Sequence, residues 1–150
     1  FIEGLPTKEG GYIRTGARTP MQWCEGKNHG FSESDTPYLP TDAREGAPTV
    51  AAQEKDENSL LSFVKTLIKL HKDTPALWAD ASMKVVNAGY PFVFERTDGK
   101  DTLVIAINPS SKEYSVTLDG TTAMLSQNAT QNGNALNMQG VSFFVGRKGN

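Results

Sequence analysis

A single cysteine, Cys24, stands in the whole chain. One thiol excludes an internal disulfide framework and any multi-cysteine metal site, and it is expected to be a buried or incidental thiol, not a nucleophile. Long apolar runs are missing as well. No stretch approaches the ~20 residues that span a bilayer, and the first residues, FIEGLPTKEGG, carry neither the basic nor the apolar region of a signal peptide. A start at Phe1 instead of Met reads as a piece of something longer, with a cytoplasmic location expected. Charge of one sign is lacking too: 15 basic and 17 acidic residues leave a net charge of -2. That balance gives no electrostatic case for nucleic acid or an anionic membrane and leaves neutral partners open. HExxH, CxxC, P-loop and GxSxG patterns are absent. His29 and His71 are separated by a change of structural element, so no metal, cofactor or Ser/His/Asp arrangement is expected. The acidic residues sit mainly at turns, caps and loops, unlike the opposed carboxylate pair that acid–base hydrolysis of a sugar bond requires. Asn128-Ala129-Thr130 matches the N-glycosylation tripeptide, which is frequent by chance and carries no weight. There are no internal repeats.

What is present is enough for one modest core, since 37% of the 150 residues are hydrophobic and 21% charged. From Phe1 to about Ala52 neither the helical nor the strand period is sustained, and breakers are dense: Gly10-Gly11, Pro20, Gly26, Gly30, Pro37, Pro40 and Pro48. Its apolar residues, Tyr12, Ile13, Met21, Trp23, Phe31, Tyr38 and Leu39, are too many for a linker and imply packing against something else. The clearest helix follows. Leu60, Phe63, Val64, Leu67, Ile68 and His71 fall at i, i+3, i+4, i+7 spacing and make one apolar stripe, expected to face a core, with Lys65, Lys69 and Lys72 on the solvated side. Asp56 is the expected N-cap, Glu57 suits the helix start, and Pro75 ends the helix. Short strands with turns between them come next: Met83 to Asn87, Tyr90 to Arg96, Thr102 to Asn108, Glu113 to Leu118, Ala123 to Ser126 and Val141 to Val145. Thr97-Asp98-Gly99-Lys100 and Asp119-Gly120 are turns. Thr102 to Asn108 is the most apolar run and the expected central strand. Tyr90, Phe92 and Phe94 alternate on one strand face and read as core. The polar stretch SQNATQNGNALNMQG is expected to be loop. The fold class expected is mainly β: an antiparallel β-sandwich preceded by one amphipathic helix and a long irregular N-terminal segment.

The informative string is Arg14-Thr15-Gly16-Ala17-Arg18-Thr19-Pro20-Met21-Gln22-Trp23, followed by Asn28-His29-Gly30-Phe31-Ser32 and then Tyr38-Leu39-Pro40. In order and spacing it resembles the loop after the eighth barrel strand in α-glucosidases and trehalose synthase-like enzymes of the α-amylase superfamily. The stretch Asp56-Glu57-Asn58-Ser59-Leu60-Leu61 leading into VKTLIKLHKDTPAL is similar to that family's last barrel helix. The strands from Met83 onward take the place of its C-terminal β-sandwich. The resemblance is strong from Arg14 to Leu77 and a general pattern beyond about Asn108. Cys24, where Asp or Ser is common, and His29, where a small residue is common, depart from the family and put fine specificity in doubt.

The resemblance implies three parts: residues 1–55 as the loop segment following the last strand of a missing (β/α)8 barrel, 56–74 as the last barrel helix, and 75–150 as the C-terminal β-sandwich. It implies a retaining reaction at α-glucosidic bonds, with an α-glucan or maltooligosaccharide as substrate. The family's nucleophilic Asp, acid–base Glu and second Asp would all lie upstream of Phe1, so the chain alone is expected to be inactive. Arg18 is the one substrate-binding residue carried over. It resembles the family arginine that reaches the floor of the pocket for the non-reducing-end glucose, although it could instead only brace its loop. Arg14 reads as a loop salt-bridge residue, and Trp23 as a packing anchor or a ring that stacks on sugar. The partner implied is the catalytic barrel of the same protein. Without it, self-association or partial disorder of the arm is expected. Two other classes stay open: a carbohydrate-binding β-sandwich module, recognised by exposed aromatics, and a structural or interaction domain without sugar affinity.

Overall fold

The computed structural model describes residues 17–149, so the expectations for Tyr12, Ile13 and Arg14 lie outside the described residues. The chain forms two compact units, one up to Leu67 and one from Ile68. Each is built by different means.

In the first unit the chain from Ala17 runs through turns, a 3-10 turn at Lys27–Gly30 and a short helix α1 (Val50–Gln53) before helix α2 (Leu60–Asp73) begins. Thr49 starts α1: it is buried, and its Oγ1 accepts from the Ala52 N–H at 3.1 Å. Ser59, not Asp56, caps α2. Its Oγ accepts from the Ser62 N–H at 3.2 Å and donates to the Gln53 carbonyl at 2.7 Å, while Gln53 Oε1 takes the Leu61 N–H at 3.0 Å. A serine three residues ahead of the donor is the N-cap geometry, and Asp56 is instead spent on an Asx-type turn to the Asn58 N–H. The apolar stripe of α2 is present but uncovered in this chain, contrary to the expected core face: Leu60 is 71%, Val64 41% and Ile68 50% exposed. The contact that α2 does make in the second unit comes from Leu70, off the stripe.

The second unit is an antiparallel sheet of six strands, β1 (Ser82–Asn87), β2 (Phe92–Thr97), β3 (Thr102–Asn108), β4 (Tyr114–Thr117), β5 (Thr121–Asn132) and β6 (Ala135–Lys148). The order is β1-β2-β3-β6-β4, with β5 also on β6. One edge of β6 pairs β5 from Ala135 to Lys148; the other pairs β4 over Ala135–Met138 and β3 over Ser142–Arg147. Because one strand serves two partners end to end, the sheet folds over on itself in the manner of a sandwich. The interior holds Val93, Val104 and Ala106 of β2 and β3 against Leu118, Leu136, Met138 and Phe144. On the other face Leu103, Ile105 and Val145 are covered by Ala76, Leu77 and Leu70. β3 is therefore buried on both faces, as its unbroken TLVIAIN run requires. Arg96 ties the Pro75–Leu77 turn down by donating to the carbonyls of Ala76 and Trp78.

Two sequence expectations fail here. The polar stretch read as loop is the hairpin of β5 and β6, turning at Gly133-Asn134 with Asn132 opposite Ala135. Gly133 has φ 58°, the positive value that the first position of a two-residue turn needs. The pattern was illegible because β5 is exposed along most of its length, so no face had to be apolar. Tyr90 precedes β2 and does not continue its alternation: it is 55% exposed, with its ring against Tyr114 at 5.8 Å between centroids. Phe92 and Phe94 do pair, at 5.4 Å.

Asn108 is the polar pivot of the unit. It is fully buried at the end of β3, and its Nδ2 donates to the carbonyls of Lys112 (2.8 Å) and Gln139 (2.7 Å) while its Oδ1 accepts from the N–H and hydroxyl of Ser110. Opposite lies the bend of β6, where Gly140 leaves no room for a side chain: a Cβ there would sit 2.6 Å from the Ser111 carbonyl oxygen. The next residue, Val141, holds φ 51° with a β-branched side chain, an unfavourable left-handed conformation. Asn108→Ala should remove the four hydrogen bonds of a buried amide and cost about 2–3 kcal/mol in denaturant melts; a loss near zero would contradict the clamp. Val141→Asn, a residue that tolerates the left-handed region, should instead raise stability by about 0.5–1 kcal/mol in the same melts.

Candidate functional site

The residues singled out in the sequence fall in the irregular part of the first unit, and what holds them is side-chain hydrogen bonding more than apolar burial. Arg18 lies at a bend and is exposed, two residues before the buried Pro20. Gln22 is a two-ended brace: its Oε1 accepts from the Asp42 N–H at 2.7 Å and its Nε2 donates to the Pro48 carbonyl at 3.2 Å. Its own carbonyl and that of Trp23 take the N–H groups of Val50 and Ala51, both at 2.9 Å, which locks the Met21-Gln22-Trp23 run against the start of α1. Trp23 is half exposed. Its backbone anchors the loop, and its ring is not buried in the chain as it stands.

The segment after Trp23 closes on itself. The N–H groups of Trp23 and Cys24 both point to the His29 carbonyl, at 2.8 and 3.2 Å. Between them Gly26 (φ 125°), Asn28 (φ 47°), His29 (φ 52°) and Gly30 (φ 71°) turn the chain through positive φ. Asn tolerates that region better than most residues, and the Asn28 side chain uses its amide to donate to the carbonyls of Ser32 (2.8 Å) and Ser34 (2.6 Å). So the Asn-x-Gly-Phe-Ser pattern is a turn-building device. His29, the departure noted in the sequence, keeps a buried Nδ1 with no hydrogen-bond partner among the described residues. Cys24 is exposed, not buried as one expectation had it, and its Sγ lies 2.8 Å from where a Cβ on Gly30 would stand.

An ion pair that the sequence reading passed over completes the loop. The Asp42 side chain is nearly covered and meets Arg44 Nε at 2.8 and 3.1 Å through its two oxygens. The Arg44 guanidinium, bonding the carboxylate directly, holds Asp42 at about 2, below its ordinary 3.8. The Asp-x-Arg spacing was the available signal, but nothing in one sequence distinguishes it from two ordinary surface charges. No group of three or more His, Cys, Asp or Glu that could hold a metal occurs among the described residues, and none of the described helices is long and apolar enough to cross a membrane. The loop therefore offers an exposed arginine and half-exposed Met21, Trp23 and Phe31.

The family match includes this loop. Residues 6–80 match the family model described as "Alpha amylase, catalytic domain". Over 104 residues the chain is 36% identical to a probable oligo-1,6-glucosidase 2 of Bacillus subtilis, covering 69% of the chain and 18% of that protein. It is 33% identical over 100 residues to a glucan 1,6-alpha-glucosidase of Streptococcus dysgalactiae subsp. equisimilis, covering 67% and 19%. Among solved structures, a family GH13_31 enzyme superposes with TM-score 0.78 at 25% identity, over 89% of this chain and 24% of that one. The trehalulose synthase MutB of Pseudomonas mesoacidophila MX-45 shares the fold at TM-score 0.76 and 24% identity, over 90% and 26%. The chain thus spans about a fifth of the length of the curated relatives it matches.

The Asp42–Arg44 pair gives a pH prediction. Because the folded carboxyl titrates below the unfolded one, its contribution is full above about pH 4 and is lost as pH falls towards 2. Thermal melts between those values should show a steeper acid loss for the unaltered chain than for Asp42→Asn, and parallel curves would contradict the assignment.

Proposed function

We propose a function from one premise: this chain belongs to the α-amylase family of glycosidases, and in it this stretch is the C-terminal, non-catalytic portion of an enzyme acting on α-glucosidic bonds. The observation that carries the proposal is the pairing of a catalytic-domain match over residues 6–80 with a separate antiparallel sheet that begins at Ser82. On this reading residues 1–55 follow the last barrel strand, the segment 56–74 is the last barrel helix, and 75–150 is the β-sandwich behind it. The α2 stripe supports it. Leu60, Val64 and Ile68 are exposed at spacings that place them along one helix face, and an apolar stripe of that width is what a helix turns towards a barrel wall. The barrel is the partner proposed for that stripe and for Met21, Phe31 and Tyr38.

Arg18 is the proposed substrate-binding residue. A planar guanidinium can hold a carboxylate and a sugar hydroxyl in one fixed geometry, and its place on a hydrogen-bonded loop beside the braced Gln22 suits a fixed pose. The substrates proposed are maltooligosaccharides or a related α-glucan. The relatives named for 1,6-linked substrates favour an α-glucosidase over an endo-acting amylase. No catalytic role is proposed for any residue of the chain, because the retaining mechanism needs an opposed carboxylate pair on rigid elements.

The experiment is a hydrolysis assay with an aryl α-glucoside on the 150-residue chain and on the enzyme that contains it. The chain alone should give no turnover. In the enzyme, Arg18→Ala should lower kcat/KM by about 100-fold, with Arg18→Lys recovering little of it. Turnover by the chain alone, or an Arg18→Ala enzyme with unchanged kcat/KM, would sink the proposal.

A further inference from the structure

From the hydrogen bonds that hold the Met21-Gln22-Trp23 run, we infer that Gln22 is the positioning residue for Arg18: its side-chain amide sets the direction in which the guanidinium is presented. The inference rests on the proposed role of Arg18 and adds to it a second residue, one that touches no substrate. Gln22 stands four residues after Arg18, and little of the chain between them is free to turn. The ring of Pro20 fixes its φ at about −65°, and Thr19, the residue before it, is confined by the proline to extended backbone. Pro20 is also buried. Fixing Gln22 therefore fixes the course of the chain back to Arg18.

The amide has both ends occupied by segments distant in sequence. Its Oε1 accepts from the Asp42 N–H at 2.7 Å and its Nε2 donates to the Pro48 carbonyl at 3.2 Å, while the Gln22 backbone carbonyl takes the Val50 N–H at 2.9 Å. One residue is thereby tied to three points, and each of these is itself held. Asp42 is fixed by the fork of Arg44 onto its carboxylate. Pro48 and Val50 flank Thr49, which is buried and whose Oγ1 starts α1. The arrangement needs a donor and an acceptor on one side chain of this length, which a carboxamide supplies. A methionine of similar length supplies no such donor.

Apolar packing within the unit does not supply this fixing. Among the described residues up to Leu67, only Pro20 and Leu39 bury an apolar side chain, so the pose of the 18–23 segment depends on polar ties. Pose matters for an arginine in particular. Its N–H groups form a rigid planar fork that works by direction, and a misplacement of about 1 Å caused at a distance can cost about 100-fold in rate. The Asn28 amide offers a contrast within the same loop: it donates to the carbonyls of Ser32 and Ser34, inside the turn that follows Trp23, and not towards Arg18.

The test is a double-variant cycle on the enzyme that contains this chain, reading kcat/KM with an aryl α-glucoside. Gln22→Met should lower kcat/KM about tenfold. In an Arg18→Ala background the same change should cost almost nothing further, because the group it positions is gone. A variant that only unfolds part of the enzyme loses the same factor in either background, so the coupling separates positioning from stability. Asn28→Ala is the control, and whatever factor it costs should be the same with and without Arg18. Equal losses from Gln22→Met in both backgrounds, or unchanged kcat/KM in the single variant, would overturn the assignment and leave Arg18 in its proposed role. A coupling as large at Asn28 would make the pose a property of the whole loop and overturn it too. An Arg18→Ala enzyme with unchanged kcat/KM would instead remove both readings together, so the two failures are told apart.

Discussion

β6 is the constraint on which the sheet depends, because it is asked to pair with three strands at once. Along one edge it runs with β5 on both sides of an interruption at 139–142, and along the other it serves β4 first and β3 second. A single straight strand could do this only by leaving the two layers in one plane, with Leu136 and Met138 far from Val104 and Ala106. The strand instead changes course between Met138 and Ser142, where Gly140 permits contact with Ser111 and Val141 accepts a left-handed backbone. The buried amide of Asn108 donates to the carbonyls of Lys112 and Gln139 and so ties the two segments that flank the bend. The interior cluster, with Leu136 and Met138 against Val104 and Ala106, follows from this one turn of direction.

The first unit is organised on another principle. Its loop has few buried apolar side chains and is held by Gln22, Asn28, Thr49, Ser59 and Asp42, each placed so that a side chain satisfies backbone groups that no helix or strand would satisfy. Such a frame is specific but encloses little, and it leaves Trp23, Phe31, Tyr38 and the α2 stripe uncovered. On the proposed reading, that unburied apolar surface faces a larger core whose other walls lie outside these residues. The curated relatives are between three and four times the length of this chain, and on the proposed reading their remaining length supplies those walls.

How much of this was legible beforehand depended on whether an interaction leaves a period in the sequence. β3 could be placed to the residue, because burial on both faces demands an unbroken apolar run. The β2–β3 turn could be read from Asp98-Gly99: Gly99 has φ 88°, and the Asp98 carboxylate takes the N–H groups of Lys100 and Asp101, which also holds it below its ordinary range. The helix stripe was visible, and with the barrel resemblance so was its need of a partner beyond this chain. The first half of β5 was legible as Ala123 to Ser126, while its continuation to Asn132 was hidden because it is polar and mostly exposed, with no apolar face to show. Ser59 lost to Asp56 as the expected cap because both are good capping residues and only the register of Ser62 decides between them. Of the site, Arg18 came from motif resemblance alone, whereas the Gln22 brace and the Asp42–Arg44 fork are long-range or unpatterned and needed coordinates.

The account turns on the first unit being one face of a larger core, and hydrogen exchange tests that most directly. Amide exchange would be followed for the chain alone and for the enzyme that contains it. The account predicts a large gain in protection across residues 21–67 in the enzyme, with little change across β3 and the Ser142–Arg147 half of β6. Equal protection of residues 21–67 in both would mean that the unit is complete as it stands, and would contradict the claim.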